Sequence, residues 1–137
     1  MKYLKRYNES VKNEEILDVC EEYLAYVLDN IKDSKLRIDN SPIYDDVCSV
    51  SFFRSEPNHN RFSWDDIKDD FITLVDILNN KFGVIDVTIM TNKSIPIKIN
   101  NPEEPSIDHF LTVDDILEDN IIRGVDDIMI IIIKLKK

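Results

Sequence analysis

The side chains with the most capacity for chemistry are five adjacent aspartate pairs: Asp45–Asp46, Asp65–Asp66, Asp69–Asp70, Asp114–Asp115 and Asp126–Asp127. On a helix, Asp65 and Asp69, or Asp66 and Asp70, stand one turn apart and could share a hard divalent cation such as Mg²⁺ or Ca²⁺. No EF-hand spacing accompanies them, and acids at a helix start are already accounted for by the positive end of the helix dipole. His59 and His109 are the only groups whose unperturbed titration falls near neutrality. His59 and Arg61, leading into a helix start, could hold an anion there, although Asp65 and Asp66 oppose it. The two cysteines, Cys20 and Cys48, fit no metal-ligand spacing and fall on apolar stripes, which reads as two reduced core thiols in a cytosolic setting. Neither histidine has a Cys or Ser nearby in the sequence in a nucleophile context.

Glycine is nearly absent. Gly83 and Gly124 are the only two, whereas a dinucleotide-binding fingerprint, a phosphate-binding loop and a nucleophile elbow each need several at fixed spacing. These classes are excluded, no cofactor is indicated, and no catalytic residue is assigned.

Charge separates the chain into three parts. Residues 1–12 hold Lys2, Lys5, Arg6 and Lys12 against Glu9, and the last four residues hold Lys134, Lys136 and Lys137. Between them lie ten basic and 26 acidic side chains, a net near −16 within a total of −10. Such a body repels nucleic-acid phosphates and membrane surfaces and favours a protein partner with a basic face. No apolar run approaches the roughly 18 residues of a membrane span, and the first residues lack the apolar core of a secretory signal. The composition, 43% hydrophobic and 32% charged over 137 residues, is that of one soluble globular domain.

The elements that must position these groups follow from periodicity. The strongest unit is 63–90. Trp64, Ile67, Phe71, Leu74, Val75, Leu78 and Phe82 recur at helical spacing over 63–82, with Ser63 and Asp66 as a capping pair and Gly83 as the stop. Its opposite side carries Asp65, Asp69 and Asp76. A first helix over 13–32 buries Ile16, Val19, Cys20, Tyr23, Leu24, Val27 and Ile31, and exposes Glu14, Glu15, Asp18, Glu21 and Glu22. Strands are expected at 36–38, at 47–54, at 84–91 and, after a turn at 91–94, at 95–100. Pro96 confines that last strand to an edge. A short helix at 112–118 has Thr112 and Asp115 as its capping pair. The six consecutive apolar residues from Ile128 to Ile133 predict a central strand buried on both faces. The fold expected is α+β, in the order α-β-β-α-β-β-α-β: a mixed sheet of four to five strands, two main helices and a short third. Residues 1–12 form a basic leader, flexible or cleaved, and 13–137 a single acidic domain.

The leader reads MKYLKRYNE, followed by Ser10. It resembles the short head-targeting peptides of T-even-type tailed phages, which begin Met-Lys, carry a hydrophobic and an aromatic residue, and end in a Glu cut by the prohead protease. The resemblance implies a small accessory protein of such a phage, acting in the host cytoplasm or packaged in the virion head, with cleavage after Glu9 and a mature chain starting at Ser10. It covers nine residues, and Tyr7 stands where the family has Leu or Ile. Three functions follow in order: a non-enzymatic phage accessory protein acting through protein contacts; an acidic mimic of nucleic acid that inhibits a host enzyme, using Asp65, Asp69, Asp76 and the acids of the first helix; and a small divalent-metal-dependent enzyme using the aspartate pairs. Asp65, Asp69, Asp76, His59 and Arg61 are the candidate interaction residues.

Overall fold

The structure, a computed structural model, describes residues 2–31, 34–54, 62–95, 106–118 and 128–137, with the side chains of 2–11, 92–95 and 106–109 left aside. In chain order the elements are α1 (Lys2–Tyr23), α2 (Ala25–Asn30), β1 (Ser34–Asn40), β2 (Val47–Arg54), α3 (Trp64–Lys81), β3 (Val84–Ile95), β4 (Ser106–Leu111), α4 (Val113–Leu117) and β5 (Ile128–Lys136). The class is α+β: one five-stranded sheet in the order β1-β2-β5-β3-β4, with two long helices.

Every neighbouring pair in the sheet is antiparallel, where a mixed sheet was expected. The reason is the last strand. α3 connects β2 to β3 and leaves them running in the same direction, as a strand–helix–strand unit should. β5 then enters between them, antiparallel to both. Its run of isoleucines makes that central position the favourable one, since no other strand could bury as much apolar surface there.

The core lies between the sheet and the helices. Cys48, Val50 and Phe52 of β2, Ile131, Ile133 and Leu135 of β5, Val87 and Ile89 of β3 and Leu111 of β4 are all buried. They meet Ile16 and Cys20 of α1, Leu24 at the α1–α2 junction, Val27 of α2, Ile116 of α4, and Trp64, Ile67, Phe71, Leu74, Val75 and Leu78 of α3. Phe52 is the aromatic centre, with ring centroids 4.6 Å from Phe62 and 5.1 Å from Phe71. Phe62 also pairs with Ile128 through two backbone hydrogen bonds of 2.7 and 3.1 Å, which tie the start of α3 to the start of β5.

Four local expectations are corrected. The first helix starts at Lys2 rather than Asn13, because nothing in residues 1–31 is a Gly or Pro that would stop it. It breaks at Leu24, whose φ of −102° and ψ of 10° leave the helical range, and resumes as α2 with Val27 still buried. Second, Thr91 to Ile95 does not form a hairpin turn. β3 runs on through it and pairs with Ser106–Leu111 instead, where no strand was expected. Thr91 is fully buried opposite Ile128, a poor place for a turn, and the strand ends where Pro96 has no N–H to give. The strand expected over 96–100 lies outside the described residues. Third, Ser63 has the extended backbone of an N-cap but its side chain makes no capping bond. Asp66 N–H reaches the Ser63 carbonyl instead, at 3.2 Å. Fourth, β5 is fully buried on one face only; Met129, Ile130 and Ile132 are half-buried on the other. Other details hold: Gly83 closes α3 with a φ of 125°, and Thr112 and Asp115 form a complete capping box on α4.

Candidate functional site

α1 and α3 pack side by side on the same face of the sheet. Both bury one stripe, so both turn the opposite crest to solvent. On α1 that crest holds Glu14, Glu15, Asp18, Glu21 and Glu22; on α3 it holds Asp65, Asp69 and Asp76 beside Asp66, and all nine are exposed. Lys12 and Lys81 are exposed, and Lys68 half-buried, among them. The candidate acids of α3 and those of α1, some 50 residues apart in the chain, thus belong to one helical layer. Among the bonds within it, Asn80 Nδ2 donates to Asp76 Oδ1 at 3.4 Å.

The layer can attract and orient a cationic surface. Carboxylates spread along two crests give a broad field rather than the converging oxygens a cation needs. Among the described residues, no three His, Cys, Asp or Glu side chains gather as a metal site requires. Asp65 and Asp69 remain two exposed neighbours on one helix.

His59 and Arg61 lie outside the described residues, as do Asp126 and Asp127. The backbone of His109 pairs with Ile89 in the β3–β4 ladder, and its side chain is not among those described. Glu9 and Ser10 fall inside α1. A protease reads its substrate in extended form, so cutting there requires this turn of helix to open.

The cysteines are both free and buried. Burial pushes the Cys20 thiol up to about 12, with Cys48 and Glu21 adding to the rise. Burial also raises Cys48, partly offset by Lys137. Neither is a ready thiolate, and each packs as a small apolar side chain.

Two features of the surface were not visible in the sequence. A groove of about 460 Å³ runs between the first helices and β1, lined by Glu21, Leu28, Asp29, Ser34 and Lys35 among others. Ser34 Oγ is committed there to the carbonyls of Ile31 (2.8 Å) and Leu28 (3.3 Å). The second lies on the sheet face away from the helices, a hollow of about 250 Å³ lined by Arg37, Phe53, Arg54, Met129 and Ile130. Arg37 sits over the Phe53 ring at 5.9 Å and pairs with Asp39 at 2.8 Å. The consecutive apolar residues of β5 were the signal for it, expected above to be buried on both faces.

No helix among the described residues is long and apolar enough to cross a membrane. Comparison with protein-family models, with curated proteins and with solved structures finds no match to this chain.

Proposed function

We propose that the chain is a non-enzymatic accessory protein of a tailed phage that docks its acidic helical layer on a basic surface of a protein partner. The observation that carries the docking is the side-by-side packing of α1 and α3, which joins the acidic crests of two distant segments into one exposed layer. The phage origin and packaging in the head rest on the resemblance of MKYLKRYNE to head-targeting peptides. The reading needs no cofactor and no reacting group.

The experiment compares the wild-type chain with an Asp65→Lys, Asp69→Lys, Asp76→Lys variant as bait in an extract of infected host cells. The wild type should retain a basic protein at about 0.15 M salt and release it near 0.5 M, where screening shortens to a few ångströms. The variant should lose it at both. Retention of the same protein by the variant refutes docking through this layer. Release by added duplex DNA would narrow the reading to nucleic-acid mimicry, since the partner's basic surface would then be its nucleic-acid site. Packaging has its own readout: mass spectrometry of purified virions should find a form beginning at Ser10, and a chain absent from particles ends that part of the proposal.

A further inference from the structure

β1 is an edge strand: β2 lies on one side of it and, among the described residues, no strand lies on the other. Its bonding parity can be read from the loop that follows, where Ser41 N–H donates to the Val47 carbonyl at 2.9 Å. Ser41 and Val47 continue the β1–β2 register. Lys35, Arg37 and Asp39 therefore also turn their N–H and C=O groups toward β2, and Leu36 and Ile38 turn theirs outward. Those outward groups have no partner among the described residues.

Beside this edge runs the groove of about 460 Å³. At one end Asn13 Nδ2 donates to Asn40 Oδ1 at 2.9 Å, and at the other Ser34 N–H donates to the Ile31 carbonyl at 3.3 Å. α1 and α2 thus run antiparallel alongside β1. They present Glu21, Ala25, Leu28 and Asp29 to the groove, a single helical stripe carried across the α1–α2 junction. Ala25 and Leu28, with Leu36 of β1, form its apolar middle, and the exposed Glu21 and Asp29 stand at its two ends. Lys35 reaches the groove from the other side of the strand. Leu36 and Ile38 pack toward the core, so the alternating exposed Lys35, Arg37 and Asp39 leave β1 on the opposite face.

We infer that this edge and groove bind an extended segment of a partner protein, added antiparallel to β1, in which an apolar residue has Lys or Arg two positions before it and two after. The open edge supplies main-chain bonds, and the groove selects alternate side chains. Antiparallel addition continues the pattern of every pair in the sheet. Residues placed opposite Leu36 and Ile38 each exchange two bonds with β1 and turn their side chains toward the helices. The apolar one meets Ala25, Leu28 and Leu36, and the basic ones meet Glu21 and Asp29. The spacing matches. From Glu21 to Asp29 the helix rises about 12 Å, and a strand covers about 13 Å between the two basic positions. A second copy of β1 is the poorer occupant, because pairing two β1 edges brings Glu21 and Asp29 of both copies together.

The probe is the end-blocked, fluorescein-labelled peptide Thr-Lys-Thr-Leu-Thr-Lys-Thr, titrated with the full chain at about 0.05 M salt and followed by anisotropy. Saturable binding with a Kd of about 0.01–1 mM is expected. A methyl group on the Leu nitrogen, which faces β1, should weaken binding by about tenfold or more, whereas one on the next Thr nitrogen, which faces solvent, should change it by less than about threefold. Bound probe should slow amide exchange at Leu36 and Ile38. Glu21 and Asp29 are exposed, so the Glu21→Lys, Asp29→Lys variant should keep the wild-type melting temperature. It should lose this probe and take up Thr-Glu-Thr-Leu-Thr-Glu-Thr in its place. No saturation by about 2 mM overturns the inference, as do equal effects of the two methyl groups or unchanged binding by the variant. So does a wild-type chain that sediments as a dimer with Leu36 and Ile38 already protected, which assigns the edge to a second copy. The inference does not rest on the α3 acids: the Asp65→Lys, Asp69→Lys, Asp76→Lys variant should still bind the probe. Failure here therefore leaves the docking proposal standing, and the reverse.

Discussion

Trp64 offers the sharpest test of the packing, because two effects of similar size oppose each other there. The residue opens α3, is 1% exposed, and its indole N–H has no acceptor among the described residues. Trp64→Phe removes about 40 Å³ of side chain, and a cavity of that size costs about 1 kcal/mol at 24 cal/mol per Å³. The smaller apolar area lost adds roughly 0.5–1 kcal/mol. Against this, the substitution deletes a buried donor whose unmet hydrogen bond costs about 1–3 kcal/mol. The sum lies within about 1.5 kcal/mol of zero, while Phe71→Ala, with no such compensation, should cost about 3–5 kcal/mol. Trp64 is the only tryptophan, so both proteins are unfolded in urea and followed by far-UV circular dichroism. The midpoints should nearly coincide at equal m. A loss above about 3 kcal/mol would mean that the indole N–H is bonded in solution, and the balance drawn here would be wrong.

Two further outcomes concern α4 and the core thiols. Thr112 Oγ1 accepts from Asp115 N–H at 3.1 Å, and Asp115 Oδ2 accepts from Thr112 N–H at 2.9 Å; Thr112→Ala should therefore cost about 0.5–2 kcal/mol and speed amide exchange at Asp115, with Thr112→Ser restoring both. Cys20, raised from 9.0 to about 12 by burial, keeps its proton in the folded state after the unfolded chain has lost it. Its contribution is complete below pH 9 and is lost as pH rises from 9 toward 12, about 1.4 kcal/mol by pH 10. The urea midpoint of the wild type should thus fall more steeply above pH 9 than that of Cys20→Ala, and equal slopes would refute the assignment.

How much of this was legible depends on whether the deciding contacts are local. α3 was readable because its buried face, acidic crest and closing Gly83 agree within twenty residues. The α4 capping box was readable because its two bonds join residues three apart. The same pattern failed at Ser63, where the pairing of Phe62 with Ile128 sets the entry into the helix. β4 was missed because Ser-Ile-Asp-His-Phe-Leu has a modest strand signal, and its partner is chosen by the free edge of β3. The interposed β5 was anticipated as central but not as antiparallel to both neighbours, since its direction is set by pairing with β2 and β3, both distant in the chain. The acids of the candidate surface were identified individually. Their union across α1 and α3 is a consequence of tertiary packing.

That union also explains why one small domain carries two opposite surfaces. A single sheet with helices on one side has two outer faces of different make-up. The helical face is built from residues between buried stripes, where Asp and Glu cost little and keep a −10 chain dispersed. The sheet face is built from alternate residues of strands whose other side must be apolar, and β5 supplies isoleucine to both. Covering the isoleucines with charge would have been simple at Ile130 and Ile132, each half-buried and outside the helix-packed core. Polar residues do stand at Ser49, Ser51 and Thr88 on that face, so the site tolerates them. The half-buried Phe53, Met90, Ile130 and Ile132 on that face thus stand among polar neighbours, with Ser51 and Thr88 on either side of Ile132.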